Sequence, residues 1–321
     1  MVNPQPSQAI EPAVYTYYQA TPAVCAWLFH QIDQLREQAQ AVVNRYTEGY
    51  IELIRQNSAV ARYPLGIKLE WTADDKRLLG WGVGRWSNNQ FIETRLFALP
   101  KDRYRFHYLD HFLAKAPLEL KTLVFETEDQ LESIRKFNKR LTVILELLVK
   151  YTLIACHVNK QETKQNLDAV RYELKRLSSI EDAANSFSNN DALKLWLCDQ
   201  AALLEKEAEY YVSYYWSNNK KDYSLETPSI SLGLRIKSNR GNSISIEWYE
   251  AKFLGQKAIE KKRYKKPRNV HHYSILEKIV QAQPEWFAKL VIETEDELAR
   301  IRKQMWLLAG IKEALLDYQN V

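Results

Sequence analysis

Hydrophobic and polar residues follow two different periods in the first third of the chain. Apolar positions recur at helical spacing between residues 22 and 57, namely at Trp27, Leu28, Ile32, Leu35, Ala39, Val42, Val43 and Tyr46. This pattern predicts one long amphipathic helix that ends near Asn57. Residues 66–71, 78–86 and 91–99 then change to the short β-branched and aromatic segments that are typical of strands, with polar turns between them. They predict a three-stranded antiparallel meander.

The same pattern occurs twice. The sequence LVFETEDQLESIRK at 123–136 recurs as LVIETEDELARIRK at 290–303, with 10 of 14 positions identical at an offset of 167 residues (290 − 123). The same offset pairs Trp81 with Trp248. Residues 27–46 match residues 196–215 at an offset of 169 (196 − 27), so two residues are inserted in a loop between the paired segments. We interpret the chain as a tandem duplication.

The repeat predicts an α+β fold in which each copy has a long helix, a three-stranded antiparallel β-meander and C-terminal helices. Two copies are too few for a solenoid, so a pseudo-twofold arrangement that resembles a fused homodimer is expected. The predicted organisation is a polar N-terminal tail at 1–21, a first module at 22–157, a linker with a helix at 158–190, and a second module at 191–321. The matching strands of the second module are expected at 232–238, 243–253 and 256–264.

Composition sets broad limits on the class of protein. The chain has 321 residues, and 45 Lys and Arg against 40 Asp and Glu give a mild net charge of +5. Three cysteines without close spacing favour a reducing compartment, and the polar start of the chain does not resemble a signal peptide. The most apolar segment, 141–158, contains Glu146 and Lys150 and is interpreted as a buried helix. We therefore expect a cytoplasmic protein without membrane contact.

The acidic motif ETED, at 126–129 and 293–296, is interpreted as a helix start. Thr127 and Thr294 are followed three residues later by Gln130 and Glu297, which is the capping-box pattern. An acidic patch for a partner, or metal and acid–base chemistry, are the alternatives. Two arginines downstream on the same helices are expected at the solvent or at an interface: Arg135 and Arg302.

No motif for catalysis is evident. His107 and His111 have the spacing of two zinc ligands on a helix, but the sequence has no Glu where a zinc protease needs its base. Gly80, Gly82 and Gly84 lie within a predicted strand, which does not fit a phosphate-binding loop. We therefore expect no enzyme, no catalytic residue, no metal site and no cofactor, although an active site assembled in space stays open.

Positive charge is concentrated in residues 252–268, called the basic segment below, in which Glu260 is the only acid. Such a segment can follow phosphates while an aromatic side chain stacks on a base. Alternatively, it is a solvated face, or an edge strand whose lysines prevent sheet-to-sheet pairing. An acidic protein or a membrane surface is a further alternative. The candidate nucleic-acid-binding residues are Arg235, Lys237, Arg240, Lys252, Lys257, Lys261, Lys262, Arg263, Tyr264, Lys265, Lys266 and Arg268.

Three motifs follow one another in the second copy: RIKSNRGNSISIEWYEAKF from 235, the basic segment, and LVIETEDELARIRK from 290. In this order they resemble the MobI family of conjugative transfer proteins, best over 235–303. The resemblance implies an auxiliary DNA-processing factor that acts at the origin of transfer with a separate relaxase, without being the nickase. DNA is expected rather than RNA. The duplication departs from the single module associated with the family, so one or two sites per chain stay open.

The competing hypothesis is a protein-interaction scaffold. The aromatic positions near the end of the second long helix could dock another protein, since Tyr and Trp give large contact areas with few rotatable bonds. They could equally pack the module's own core. These positions are Tyr210, Tyr211, Tyr214, Tyr215 and Trp216.

Overall fold

The structure, a computed structural model, describes residues 7–71, 77–87, 90–97, 106, 109–155, 167–172, 174, 190–219, 228–239, 243–254 and 257–319. The first half contains helix α1 (Ser7–Gln56), strands β1 (Leu65–Trp71), β2 (Arg77–Ser87) and β3 (Gln90–Leu96), and helices α2 (Leu109–Phe112) and α3 (Leu118–Ala155). The second half contains α4 (Asn190–Asn219), β4 (Leu232–Ser238), β5 (Ile244–Leu254), β6 (Lys257–Arg263), α5 (Ile275–Val280) and α6 (Glu285–Gln319). The predicted α+β class is confirmed.

Both predicted meanders are confirmed. The strands are antiparallel and lie in the orders β1-β2-β3 and β4-β5-β6, so β4 and β6 are edge strands. Helix α1 ends at Gln56 as predicted, but it begins at Ser7 rather than at residue 22. The prolines and polar residues of the first segment, including Pro12 and Pro22, favoured a non-helical interpretation there.

The chain forms two compact units. The first unit contains residues 26–145 and 314–321, and the second contains residues 1–25 and 146–313. Most of the predicted linker at 158–190 lies outside the described residues, although 167–172 are helical. Among the helices that the structure describes, none combines the length and the apolar character that a bilayer span requires.

An aromatic core joins the helix to the sheet in the first unit. The hydroxyl of Tyr46 on α1 donates to the carbonyl oxygen of Leu65 at 3.1 Å, and its ring packs edge-on against Trp81 with 4.9 Å between the ring centroids. Leu120 and Val124 on α3 are fully buried in the same core. The long helices are therefore held to the sheet by apolar burial together with one satisfied hydroxyl.

The second unit has the same contacts at matching positions. The hydroxyl of Tyr215 on α4 donates to the carbonyl oxygen of Leu232 at 2.8 Å, and its ring lies edge-on 5.0 Å from Trp248. Burial raises the pKa of Tyr215, so its hydroxyl stays protonated and can act as a donor. The aromatic contact that the two long helices make is thus the same in both units.

Each sheet also contains a bulge at the same place. In the first sheet the pairing shifts between Val83 and Gly84, and in the second it shifts between Glu250 and Ala251. Lys261 is the extra residue on β6, because Glu250 pairs with Lys262 while Ala251 pairs with Glu260. A bulge bends the strand and redirects the side chain of its extra residue.

The ETED motif lies inside helices, so the predicted capping box is wrong. Thr127 lies in α3, which begins at Leu118, and Thr294 lies in α6, which begins at Glu285. The hydroxyl of Thr127 donates to the carbonyl oxygen of Leu123 within the helix at 2.6 Å. Both helices begin earlier because apolar residues before the motif continue the helical pattern.

The acid at the centre of each motif is buried beneath the sheet. In the second unit, Glu295 accepts from the indole Nε1 of Trp248 at 2.6 Å and from the backbone N–H of Tyr273 at 2.7 Å, and it forms an ion pair with Arg302. This buried cluster of Trp248, Glu295 and Arg302 satisfies a fully buried carboxylate. It also fixes the chain that follows the basic segment against α6.

The first unit contains the equivalent cluster. Glu128 accepts from Nε1 of Trp81 at 2.7 Å, from the backbone N–H of Phe106 at 2.9 Å, and from Arg135 at 2.5 Å. The prediction that Arg135 and Arg302 lie at the solvent or an interface is therefore wrong. Each guanidinium is drawn inward by the carboxylate seven residues earlier on its own helix.

Candidate nucleic-acid interface

The basic segment covers the end of β5, the edge strand β6 and the loop after it. Lys261, Lys262 and Arg263 are exposed at the end of β6, and Lys265 and Arg268 are exposed in the loop. Lys252 on β5 and Lys237 on β4 are also exposed. Tyr264 is half-buried, and burial, with a contribution from Glu250, raises the pKa of its hydroxyl. Arg240 and the side chain of Lys257 lie outside the described residues.

Several of these cations are already compensated by acids from the neighbouring strands. Arg235 pairs with Glu247 at 2.9 Å and with Glu260 at 2.7 Å, while Arg263 pairs with Glu247 at 3.2 Å. Hydrogen bonding to Glu247 is the main reason that the pKa of Arg235 is raised. These three pairs form an ionic network across the sheet, so Arg235 and Arg263 carry less available charge than the sequence indicated.

Lys261 is compensated in the same way. Its Nζ lies 2.6 Å from Oε1 of Glu250 on β5, although the lysine remains largely exposed. The eight cations of the basic segment therefore face more acids in three dimensions than Glu260, because β5 contributes Glu247 and Glu250 to the same sheet. A count along one segment cannot include acids that arrive by strand pairing.

An aromatic ring supports the ionic network. Tyr249 on β5 lies across Gly233, where a Cβ atom would stand 2.2 Å from the Cζ of the tyrosine. The guanidinium of Arg235 lies over the same ring, 5.1 Å from its centroid. Glycine is required at 233 because any side chain would displace the ring that positions Arg235.

A second group of cations has no ion pair with any described residue. Lys262, Lys265 and Arg268 extend from the edge strand and the following loop into solvent, and Lys237 and Lys252 do so from β4 and β5. Lysine and arginine side chains of this kind can approach phosphates without breaking an internal contact. The candidate interface is therefore reduced to these five residues and the half-buried Lys266.

A tight turn directs the loop back to α6. The N–H of Val270 donates to the carbonyl oxygen of Pro267 at 3.3 Å, and Asn269 adopts a φ of 62° in the left-handed region that asparagine tolerates. The carbonyl oxygen of His271 then accepts from Nε of Arg302 at 2.7 Å. The buried cluster thus fixes the chain just after the basic segment.

An exposed tryptophan near this loop was missed by the sequence analysis. Trp306 on α6 is 51% exposed, and the ring of His271 lies 5.7 Å from it. Comparison of the two copies could have identified it, because the residue that matches Trp306 at the offset of 167 is Lys139. A tryptophan at a position that is charged in the other copy indicates a surface with a different role.

The aromatic residues of α4 are divided between core and surface. Tyr215 is buried, and Nε1 of Trp216 donates to the carbonyl oxygen of Leu234 at 2.8 Å. Tyr210 and Tyr214 are exposed and stack on each other, with their ring centroids 6.5 Å apart. Only this pair is available for a partner.

The glycines considered for a phosphate-binding loop and one of the two histidines considered as zinc ligands can be located in the structure. Gly80, Gly82 and Gly84 lie within β2, as predicted. His111 is exposed on α2, and His107 lies outside the described residues. Within the part of the chain that the structure describes, no three His, Cys, Asp or Glu side chains are grouped as metal ligands.

Comparison with known proteins gives one match, over the second sheet and its helices. The family model of the MobI protein matches residues 204–316, a range that contains the basic segment, the buried cluster and Trp306. The resemblance to this family is therefore confirmed over that part of the chain. No curated protein and no solved structure matches the chain.

Proposed function

We propose that this chain is a non-catalytic, DNA-binding accessory protein for conjugative transfer, which acts at an origin of transfer in the cytoplasm alongside a separate relaxase. The match to the MobI family supports a mobilisation context. The second repeat would contact DNA phosphates, and DNA is preferred to RNA because of that context. The first repeat would serve as a scaffold or partner surface.

One observation carries the proposal. Lys237, Lys252, Lys262, Lys265 and Arg268 are exposed and form no ion pair with a described residue, while the neighbouring Arg235, Arg263 and Lys261 are internally compensated. Phosphate contacts by the free group release counterions without breaking a protein ion pair. This supports binding that tolerates many sequences, with positioning on the backbone rather than recognition of base edges.

The duplication supports a division of labour between the repeats. The buried Glu–Trp–Arg contacts, the tyrosine contacts and the bulge recur at matching positions, which favours an ancestral duplication. The cations recur only in part: at the offset of 167, Lys252, Lys262 and Arg268 match Arg85, Arg95 and Lys101, whereas Ala98 and Leu99 stand where the second copy has Lys265 and Lys266. A shared fold with only partly shared charge favours the second repeat as the main DNA-binding surface. The pseudo-twofold arrangement stays a prediction.

The test is fluorescence anisotropy with labelled DNA across about 50 to 300 mM salt. The triple variant Lys262→Ala, Lys265→Ala and Arg268→Ala should weaken binding to all sequences and flatten the slope of log K against log salt by roughly 0.9 for each duplex phosphate that the protein no longer neutralises. The matched control removes three exposed helical lysines: Lys206→Ala, Lys278→Ala and Lys312→Ala. If both triple variants behave alike, the basic segment does not contact phosphates.

A protein-docking function is the second candidate, because Tyr210 and Tyr214 form an exposed stacked pair on α4. The variant Tyr210→Ala/Tyr214→Ala should lose a co-purifying relaxase or other transfer protein that survives nuclease treatment, and should keep DNA affinity. If the variant retains the partner, this pair is not the docking surface.

A further inference from the structure

Trp306 presents an aromatic surface to solvent beside the basic segment. Among the tryptophans whose side chains the structure describes, it is the exposed one. The ring of His271 lies 5.7 Å away at an interplanar angle of 51°, so the histidine supports the indole from one side. A large exposed aromatic ring is expected to be buried in a complex, since its burial contributes substantially to binding.

Positive charge surrounds this ring. Lys303 precedes Trp306 by one helical turn, and Lys266 lies in the loop that leads to His271. Burial lowers the pKa of His271, and the charges of Lys266, Lys303 and Arg302 lower it further, which places these cations near the histidine. The residues Lys266, His271, Lys303 and Trp306 are called the indole patch below.

The backbone beside the indole patch is held in place by the buried cluster. Nε of Arg302 donates to the carbonyl oxygen of His271 at 2.7 Å, and the backbone N–H of Tyr273 donates to the carboxylate of Glu295 at 2.7 Å. On α6, Glu297 pairs with Arg300 at 2.9 Å and Asp296 pairs with His272 at 3.3 Å. A backbone that already holds His271 beside the indole loses little conformational freedom on binding.

We propose that the indole patch binds single-stranded DNA, with Trp306 stacking on one unpaired base and Lys266 and Lys303 contacting the phosphates beside it. This rests on the proposed DNA-binding function and names the form of DNA. In a duplex each base face is already covered by its neighbours, whereas an unpaired base offers a free face to an indole. The patch therefore selects for a melted or displaced strand.

The site belongs to the second repeat. At the offset of 167, Lys139 stands for Trp306, Tyr104 for His271 and Leu99 for Lys266, while Lys136 matches Lys303. The first repeat thus lacks the indole and one of the two lysines. One single-strand site per chain follows from this comparison.

The experiment compares a labelled 20-nucleotide oligo-dT with a 20-base-pair duplex, using the full chain at fixed salt. Trp306→Ala should weaken oligo-dT binding by about tenfold, in the range expected for removing one base–aromatic stack, while duplex affinity changes less than about twofold. Trp306→Phe should recover part of the affinity because it retains an aromatic face. The matched control is Tyr172→Ala, which removes another exposed ring of the second unit and should change neither affinity.

Intrinsic fluorescence provides an independent reading. The difference between the parent and Trp306→Phe isolates the signal of Trp306, and stacking should quench it on addition of oligo-dT. An equal reduction of affinity for both DNAs, or no reduction for oligo-dT while the triple variant of the basic segment still weakens binding, overturns the single-strand assignment and leaves DNA binding intact. Absence of binding to either DNA by the parent overturns both proposals.

Discussion

The indole Nε1 of Trp248 donates a 2.6 Å hydrogen bond to the carboxylate of Glu295, which lies 47 residues later on a different element. The bond joins the middle strand of the second sheet to helix α6. The same carboxylate also accepts a hydrogen bond from the backbone N–H of Tyr273 and forms an ion pair with the guanidinium of Arg302. One buried acid therefore connects the sheet, the helix and the chain that carries the basic segment.

Removing this acid should destabilise the second unit. Glu295→Ala leaves the buried Arg302 without its counter-charge, and we expect the free energy of unfolding to fall by about 3–5 kcal/mol. Glu295→Gln keeps an acceptor and should lose less. Urea denaturation followed by circular dichroism measures the change. The control Glu293→Ala, at an exposed position of the same motif, should stay within about 0.5 kcal/mol of the parent.

The equivalent acid of the first repeat separates stability from DNA binding. Glu128→Ala should cost a similar free energy of unfolding, since Glu128 makes the same three contacts. Under conditions where both variants stay folded, Glu295→Ala should reduce DNA affinity by displacing residues 271–273, and Glu128→Ala should leave it unchanged. Fluorescence anisotropy with labelled DNA at one salt concentration measures the affinity of both variants. An equal effect of both variants on affinity would contradict the assignment of DNA binding to the second repeat.

The ionic network predicts a variant that binds DNA more tightly. Glu247→Gln removes the only described acid that pairs with Arg263 and one of the two that pair with Arg235. The released positive charge should raise affinity by about two- to fivefold at low salt and steepen the salt dependence. Glu285→Gln, which neutralises an exposed acid at the start of α6, is the control. If Glu247→Gln binds DNA like the parent, the ionic network of Arg235, Glu247 and Arg263 lies away from the DNA.

The lowered pKa of His271 predicts that the second unit loses stability at acid pH. Its pKa is lowered in the folded chain by burial and by Lys266, Lys303 and Arg302, so the unfolded chain takes up the proton first as the pH falls. Its contribution is fully present above the unfolded-state pKa of about 6.5 and decreases as the pH falls below that value toward the folded-state pKa.

Urea denaturation at pH 7.5 and pH 5.5 checks this. His271→Gln should lose less stability than the parent between the two pH values, because the glutamine does not titrate. His111→Gln, at an exposed site of the first unit, should follow the parent. If His271→Gln follows the parent as well, His271 does not contribute to the pH dependence.

Local pattern predicted much of the fold. The strands of both meanders begin and end within two or three residues of the predicted positions, and α1 ends where Asn57 was expected to end it. These features depend on neighbours along the chain, such as apolar spacing and turn residues. The ETED motif was misjudged because a buried acid within a helix and a capping acid at its start have the same local sequence. The start of α1 was missed because Pro12 and Pro22 favoured a non-helical segment.

The mixed class, both meanders, the matching segments of the two halves and the segment where positive charge is concentrated were predictable from the sequence, because each depends on residues close together along the chain. Which of those charges are available to bind phosphates depends on contacts in the folded chain. Strand pairing brings Glu247 and Glu250 to Arg263 and Lys261, and Arg302 is buried on Glu295. The loop is folded back so that His271 meets Trp306. These contacts depend on distances in space between residues far apart in sequence, and electrostatic and stacking energies follow those distances.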